Sequence, residues 1–197
     1  MRGAEITSDQ EIELEGLPEP PPWPNANARL LGLGVGLPVK PLDRLAQFSA
    51  SEFERFTLEW AFGYLMKELE EVDEVQQRGG AGDKGRDIVV WHDPPSSDGR
   101  RWSLYQCKHY GTRLGVGVAA AEIGKVIHYS FKGDYRAPLE YWFVTHLGVT
   151  SAFQDMLDDP PSLKKYILEN WNERCATKIT SRNKIPLTDE LRVFIDG

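Results

Sequence analysis

GGAGDKGRDIVVW, residues 79–91, sets glycines 79, 80, 82 and 85, two aspartates and two cations directly in front of the apolar run Ile88 to Trp91. Taken alone it is a solvated hairpin turn. It lacks the Gly-Lys-Ser/Thr of a P-loop and the ligand pattern of a calcium-binding EF-hand. The downstream residues change that reading. RWSLYQCKHY (101–110) has strand composition, and the DPPSSDGR turn (93–100) makes it the antiparallel partner of RDIVVWH (86–92). With DEVQQRGG (73–80) these segments form a three-stranded meander. The period of two along a strand puts Leu104, Gln106 and Lys108 on one face, with Tyr105 and Cys107 on the other. An ammonium buried without a partner is costly, and Asp87 opens the neighbouring strand. Asp87, Gln106 and Lys108 are therefore expected to converge at one end of the sheet.

Outward from the meander, SASEFERFTLEWAFGYLMKELEEV (49–72) predicts a helix capped by serine. Phe53, Phe56, Trp60 and Tyr64 fall at helical spacing, widened by Leu58 and Leu65, and read as its core stripe. GVAAAEIGKVIHYSF (117–131) predicts a second helix, with Ala121, Ile123, Val126, Ile127 and Phe131 available for burial. LEYWFVTH (139–146) is apolar enough to be a central strand buried on both faces. Helical segments over about 150–175 and from about 187 finish the chain. The order helix, three strands, helix, strand, helix predicts an α/β fold, a three-layer α/β/α sandwich around a central mixed sheet.

A chain of 197 residues buries one main core. LPEPPPWPNANARLLGLGVGLPVKPL (17–42) is too rich in Pro and Gly for long regular structure. Residues 1–45 are read as an arm or linker with one short strand at most, its acidic start a solvated tail. Residues 46–197 are read as the domain, with 170–197 either closing it or leading into a further one. No apolar run approaches the roughly 18–20 residues that span a bilayer, and the N-terminus lacks the apolar core of a signal peptide. The expected compartment is the cytoplasm, without a membrane partner. Two cysteines, Cys107 and Cys175, make neither a disulfide framework nor a zinc site. The four histidines are scattered without ligand spacing, His109 reads as structural, and Ser103 and Ser130 have no base or elbow context. The net charge of −7 argues against a generally basic binder. The stretch 162–186 is net basic, however, and leaves room for a basic face.

An aspartate, an amide carbonyl and a lysine brought together suit phosphodiester hydrolysis. Mg²⁺ or Mn²⁺ takes oxygen ligands, which Asp87 and Gln106 supply. The metal lowers the pKa of its bound water and offsets charge on the phosphorane, and Lys108 adds positive charge near the scissile phosphate. The glycines let backbone approach an anionic ligand.

FERFTLEW, GGAGDKGRDIVVW and LYQCKHY, in that order and at short spacing, resemble the Mrr-like branch of the restriction-endonuclease-like, or PD-(D/E)xK, nuclease superfamily. That branch has an early helix with a Phe-Glu pair, a G-x-G-D-x-G-x-D hairpin and a Q-x-K strand in place of (D/E)-x-K. The likeness spans about residues 50–130. It implies Asp87 as metal-binding aspartate, Gln106 as the second motif position, Lys108 as catalytic lysine, and Glu54 completing the metal shell. Glu59 is the second choice on that helix. Asp83 is expected to shape the hairpin or touch solvent near the site. Lys125 is read either as a phosphate contact from the next helix or as a solvated lysine, and Glu122 likewise.

The tract EIGKVIHYSFKGDY with PLEYWFVT is similar to nuclease domains of multi-component bacterial defence systems. The resemblance thus implies an Mg²⁺-dependent endonuclease acting on DNA, double-stranded by preference. It also implies a sequence-indifferent effector that works as a homo-oligomer or with a partner protein. Two alternatives stay open: a non-catalytic docking module on the same fold, and a ribonuclease. Trp60, Trp91, Trp102 and Trp142 read as core or rim, with Trp102 alternatively a base-stacking platform.

Overall fold

The computed structural model describes residues 40–80 and 82–197. Of the arm expected over 1–45, residues 1–39 lie outside the described residues. At its end, Pro41–Leu45 forms a short helix, α1, with proline in the first turn where its missing N–H costs nothing. Leu45 packs against the core beneath the next helix.

Helix α2, Ala50–Trp60, starts at a capping box. The Ser49 hydroxyl accepts from the Glu52 N–H, and the Glu52 carboxylate accepts from the Ser49 N–H at 2.8 Å. It runs on through a π-helical turn, Ala61–Leu65, into Met66–Glu68. The buried positions are Phe53, Thr57, Leu58, Ala61 and Leu65. Trp60 and Tyr64, expected inside, stand 38% and 53% exposed. A four-residue spacing drifts off one face of a regular α-helix. The π turn closes its hydrogen bonds over five residues and holds Thr57, Ala61 and Leu65 in line. Trp60 and Tyr64 are left at the rim, stacked at 6.0 Å, with Trp60 edge-on to Tyr105.

The sheet has strand order β1-β2-β3-β4: Glu74–Gln77, Ile88–Trp91, Trp102–Cys107 and Glu140–Val144. The first three form the predicted antiparallel meander, and β4 joins β3 in parallel, making the sheet mixed. The crossover to β4 is α3, Val116–Phe131. Composition puts β4 at the centre, yet among the described residues it is an outer strand and its exposure alternates. Tyr141 and Phe143 pack inward. Trp142 stands 51% exposed, stacked on Tyr105 at 6.3 Å. A dense aromatic run fits a doubly covered strand and also a strand with an aromatic strip on its outer face. Composition does not distinguish them.

Alternation along the strands divides the core. Val75, Ile88, Val90 and Cys107 pack with Phe53, Leu58, Ala61 and Leu65 of the α2 segment. Val89, Trp102 and Leu104 pack with Val126 of α3. Trp102 is 3% exposed, and its indole N–H donates to the Arg136 carbonyl at 3.0 Å, so it is core and not a stacking platform.

Beyond β4, α4 (Ser151–Asp158) and α5 (Pro160–Asn170) are separated at Asp159–Pro160, where the proline ring ends one helix and starts the next. A π turn, Trp171–Cys175, and helix α6, Asp189–Asp196, complete the chain. Trp171, fully buried, gathers Ala120, Ile167, Cys175, Ile179 and Leu191 beneath α3. Phe131, expected to be buried, is 38% exposed and rests on Phe194 of α6.

At Gly124, α3 packs closely against this segment. A Cβ there would lie 2.9 Å from Cys175 Cβ and 3.1 Å from its Sγ. Gly124→Ala is therefore expected to lower stability by roughly 1–2 kcal/mol, overpacking outweighing the gain in helix propensity. Thermal unfolding checks it, and a Cys175→Ala background should recover only the part due to Sγ, since the 2.9 Å contact with Cβ remains.

Candidate functional site

Asp87 lies one step past the Ile88–Tyr105 register pair, opposite Gln106. Its backbone carbonyl accepts from the Arg78 N–H at 2.7 Å, which closes the base of the glycine turn. Asp83 shapes that turn as expected, its Oδ1 accepting from the Gly85 N–H at 2.8 Å. Gly85 has φ +80°, and a Cβ there would meet Cβ of Lys125 at 2.8 Å. The turn therefore needs glycine both for its backbone angle and to lie against α3.

The Asp87 carboxyl is 7% exposed, and its Oδ2 accepts from Gln106 Nε2 at 2.5 Å and from the Cys107 N–H at 2.8 Å. Burial pushes its pKa up to about 6, against the pull of nearby Lys108 and the Cys107 N–H and with a further push from Glu54. Gln106 is 2% exposed. With its amide nitrogen committed to Asp87, its carbonyl Oε1 is buried and has no hydrogen-bond partner among the described residues. Native proteins rarely leave such a group unpaired.

Lys108, the next residue on the same face, is fixed by its N–H to the Val144 carbonyl at 2.9 Å. Its ammonium meets the Glu122 carboxylate of α3 at 3.2 Å, both side chains largely buried. Glu122 Oε2 also accepts from Lys125 at 2.9 Å. The sequence suggests a solvated acid or a phosphate neighbour at Glu122. It is instead the acid that joins the two lysines. Its helical spacing from Ala119 and Val126, both buried, is the available signal that this position faces the sheet.

Glu54 approaches from α2. Its Oε2 lies where a Cβ on Gly79 would come within 3.1 Å, and its charge raises the pKa of both Asp87 and Cys107. Glu59 is turned away, its Oε1 accepting from Arg55 Nε at 2.9 Å. The structure thus brings Asp87, Gln106, Lys108 and Glu54 to one end of the sheet, with Lys125 adjoining through Glu122. Among the described residues there is no cluster of three or more His, Cys, Asp or Glu with metal-binding geometry. The oxygen donors here are two carboxylates and an amide carbonyl. That chemistry fits a hard divalent ion and no softer metal.

Two further side-chain pairs are made across strands, where sequence spacing hides them. Ser103, without a base in its sequence context, has His92 Nε2 2.7 Å from its Oγ. Ser103 is 1% exposed and the other ring nitrogen of His92 contacts the Glu71 carbonyl, so the pair fastens β2 to β3. His109 and His146 stack at 4.3 Å, and His109 Nε2 contacts the Leu45 carbonyl, which ties α1 to the sheet. Among the described residues, no helix is long and apolar enough to cross a membrane. No family model, curated protein or solved structure matches the chain.

Proposed function

We propose that the chain is a metal-dependent endonuclease domain that hydrolyses double-stranded DNA on a three-layer, restriction-endonuclease-like α/β/α fold. The observation that carries it is the buried, unpartnered Gln106 carbonyl beside a buried carboxylate, with a lysine next along the same face. The packing of α2 and α3 against opposite faces of a mixed sheet supports the fold reading. The resemblance over residues 50–130, extended more loosely to 145, supports placing it as a sequence-indifferent effector of prokaryotic defence, acting as an oligomer or with a partner protein.

In this reading Asp87, Gln106 and Glu54 hold Mg²⁺ or Mn²⁺, which when bound supplies an activated water and offsets charge on the phosphate. The chain does the remaining work. The Gln106 amide nitrogen fixes one Asp87 oxygen, and its carbonyl would serve as a ligand for the ion. The raised pKa of Asp87 means that a cation is needed to keep the carboxyl ionised below about pH 6. Lys108 puts positive charge beside the reacting phosphate, and an incoming phosphate must compete with Glu122 for it.

The ion pair between Lys108 and Glu122 also favours a second reading, a non-catalytic docking module in which that lysine is structural. Nicking of supercoiled plasmid with Mg²⁺ or Mn²⁺ separates the two. Cleavage should require the metal, and Lys108→Met, which keeps the aliphatic stem, should slow it roughly 10²–10³-fold. Equal cutting by the variant, or none by the intact protein in its full assembly, rejects the nuclease. Digestion of matched duplex DNA, single-stranded DNA and RNA decides between the deoxyribonuclease and a ribonuclease.

A further inference from the structure

A concavity of about 440 Å³ opens between the Gly82–Gly85 turn, α3 and the segment 178–183. Lys84, Lys125, Lys178 and Arg182 line it against the single carboxylate of Asp83. A second, of about 490 Å³, shares Lys125 and Lys178 and adds Arg174 of the π turn, with Glu122 and Glu173 also lining it. These cations gather in a chain of net charge −7. Lys84, Lys125 and Arg174 have carboxylate partners at 2.9 Å, in Asp134, Glu122 and Glu173. Among the described residues Lys178 and Arg182 have none. Both project from a segment that is held in place: Ile179 is buried in the Trp171 cluster, and Thr180 Oγ1 accepts from the Asn183 N–H and donates to its carbonyl. Cations on an anchored segment lose less entropy on meeting an anion than cations on a loose one.

We infer that this groove is a track for the phosphate backbone of duplex DNA, its far wall built by residues 174–183. Lys178 and Arg182 are its free contacts, and Lys125 is the link to the Lys108–Glu122 pair. The inference rests on the nuclease reading for its choice of nucleic acid and for the direction in which the track leads. It adds a role for a segment outside the motif-bearing part of the chain. Lys125 occupies both concavities and shares Glu122 with Lys108, so a backbone lying along the groove passes the end of the sheet where Asp87 sits. The contacts are to phosphate and carry no base readout.

The test is fluorescence anisotropy of a labelled 20-base-pair duplex titrated with the full chain in EDTA, across a salt series. Wild type should bind with a steep salt dependence. Lys178→Glu with Arg182→Glu should weaken binding roughly tenfold or more and flatten the log–log slope by about two. The milder pair Lys178→Gln with Arg182→Gln, at unchanged Tm, should move both readouts the same way. Lys67→Glu, exposed at the far end of the α2 segment, should leave them unchanged. Wild-type binding by both double variants overturns the track, as does tighter binding of an RNA duplex of the same sequence. The assay needs no chemistry. Duplex binding through these residues without metal-dependent cutting leaves the track standing and removes the nuclease. Cutting that survives with binding unchanged in the double variants does the reverse.

Discussion

On the proposed nuclease reading, Asp87→Asn is expected to slow cleavage severely and, on any reading, to make the protein more stable at neutral pH. Asparagine keeps an oxygen to accept from Gln106 and the Cys107 N–H but cannot serve as an anionic metal ligand. The rate should fall roughly 10²–10³-fold or more, the scale of removing one preorganised electrostatic group. The stability gain comes from linkage. In the folded chain the carboxyl has its pKa raised from 3.8 to about 6, so folding favours the protonated form. The associated stability is fully present below pH 3.8 and is lost as pH rises through about 6, a loss of about 3 kcal/mol at the upper end. Asparagine removes that pH-dependent loss along with the attraction to Lys108. A net gain of about 1–2 kcal/mol at pH 7.5, or roughly 3–6 °C in Tm, is expected. Unfolding scans at pH 4, 6 and 8 should show the gap between variant and wild type widening with pH. Mg²⁺ should raise the Tm of wild type and leave the variant unmoved. A variant less stable than wild type at pH 8 would mean that Asp87 is held there for the fold.

Trp171→Ala is expected to cost about 3–5 kcal/mol, the range for emptying a large buried aromatic site. The indole is fully buried, and its N–H donates to the Ile185 carbonyl at 2.8 Å, so it fastens the returning chain as well as filling space. For a domain of this size the loss is roughly 10 °C or more in Tm. Trp171→Phe should fall between the two, keeping most of the volume and losing the hydrogen bond. Denaturant titration read by intrinsic fluorescence and by circular dichroism tests both variants. A loss below about 1 kcal/mol for alanine would show that the cluster under α3 repacks freely.

Local patterns in the sequence carry the meander, the capped α2, the α3 crossover and the meeting of Asp87 with Gln106; Lys108, whose expected partner is Asp87, pairs instead with Glu122. Each depends on alternation, a cap or a short turn, and such signals lie within a few residues. Where the outcome depends on partners distant in sequence, the pattern misleads. Glu140 to Val144 is aromatic whether the strand is central or outer, and only its pairing with β3 alone decides. Trp60 and Tyr64 fit an apolar stripe until the π turn moves the stripe to Thr57, Ala61 and Leu65. The role of Glu122 escapes a sequence reading because an acid on a helix is ordinarily solvated, and Lys108 is fourteen residues earlier on another element. His92 and Ser103 are partners only because β2 and β3 lie side by side.

The position of β4 bears on how such a sheet can change over evolutionary time. An outermost strand keeps one side of its backbone free of any strand partner among the described residues, and a free edge is where new strands add. Accretion there would widen the sheet while leaving Asp87 and the glycine turn, which lead into β2, undisturbed. A lineage could enlarge or remodel this flank and keep the candidate site, because the free edge of β4 faces away from β3, which carries Gln106.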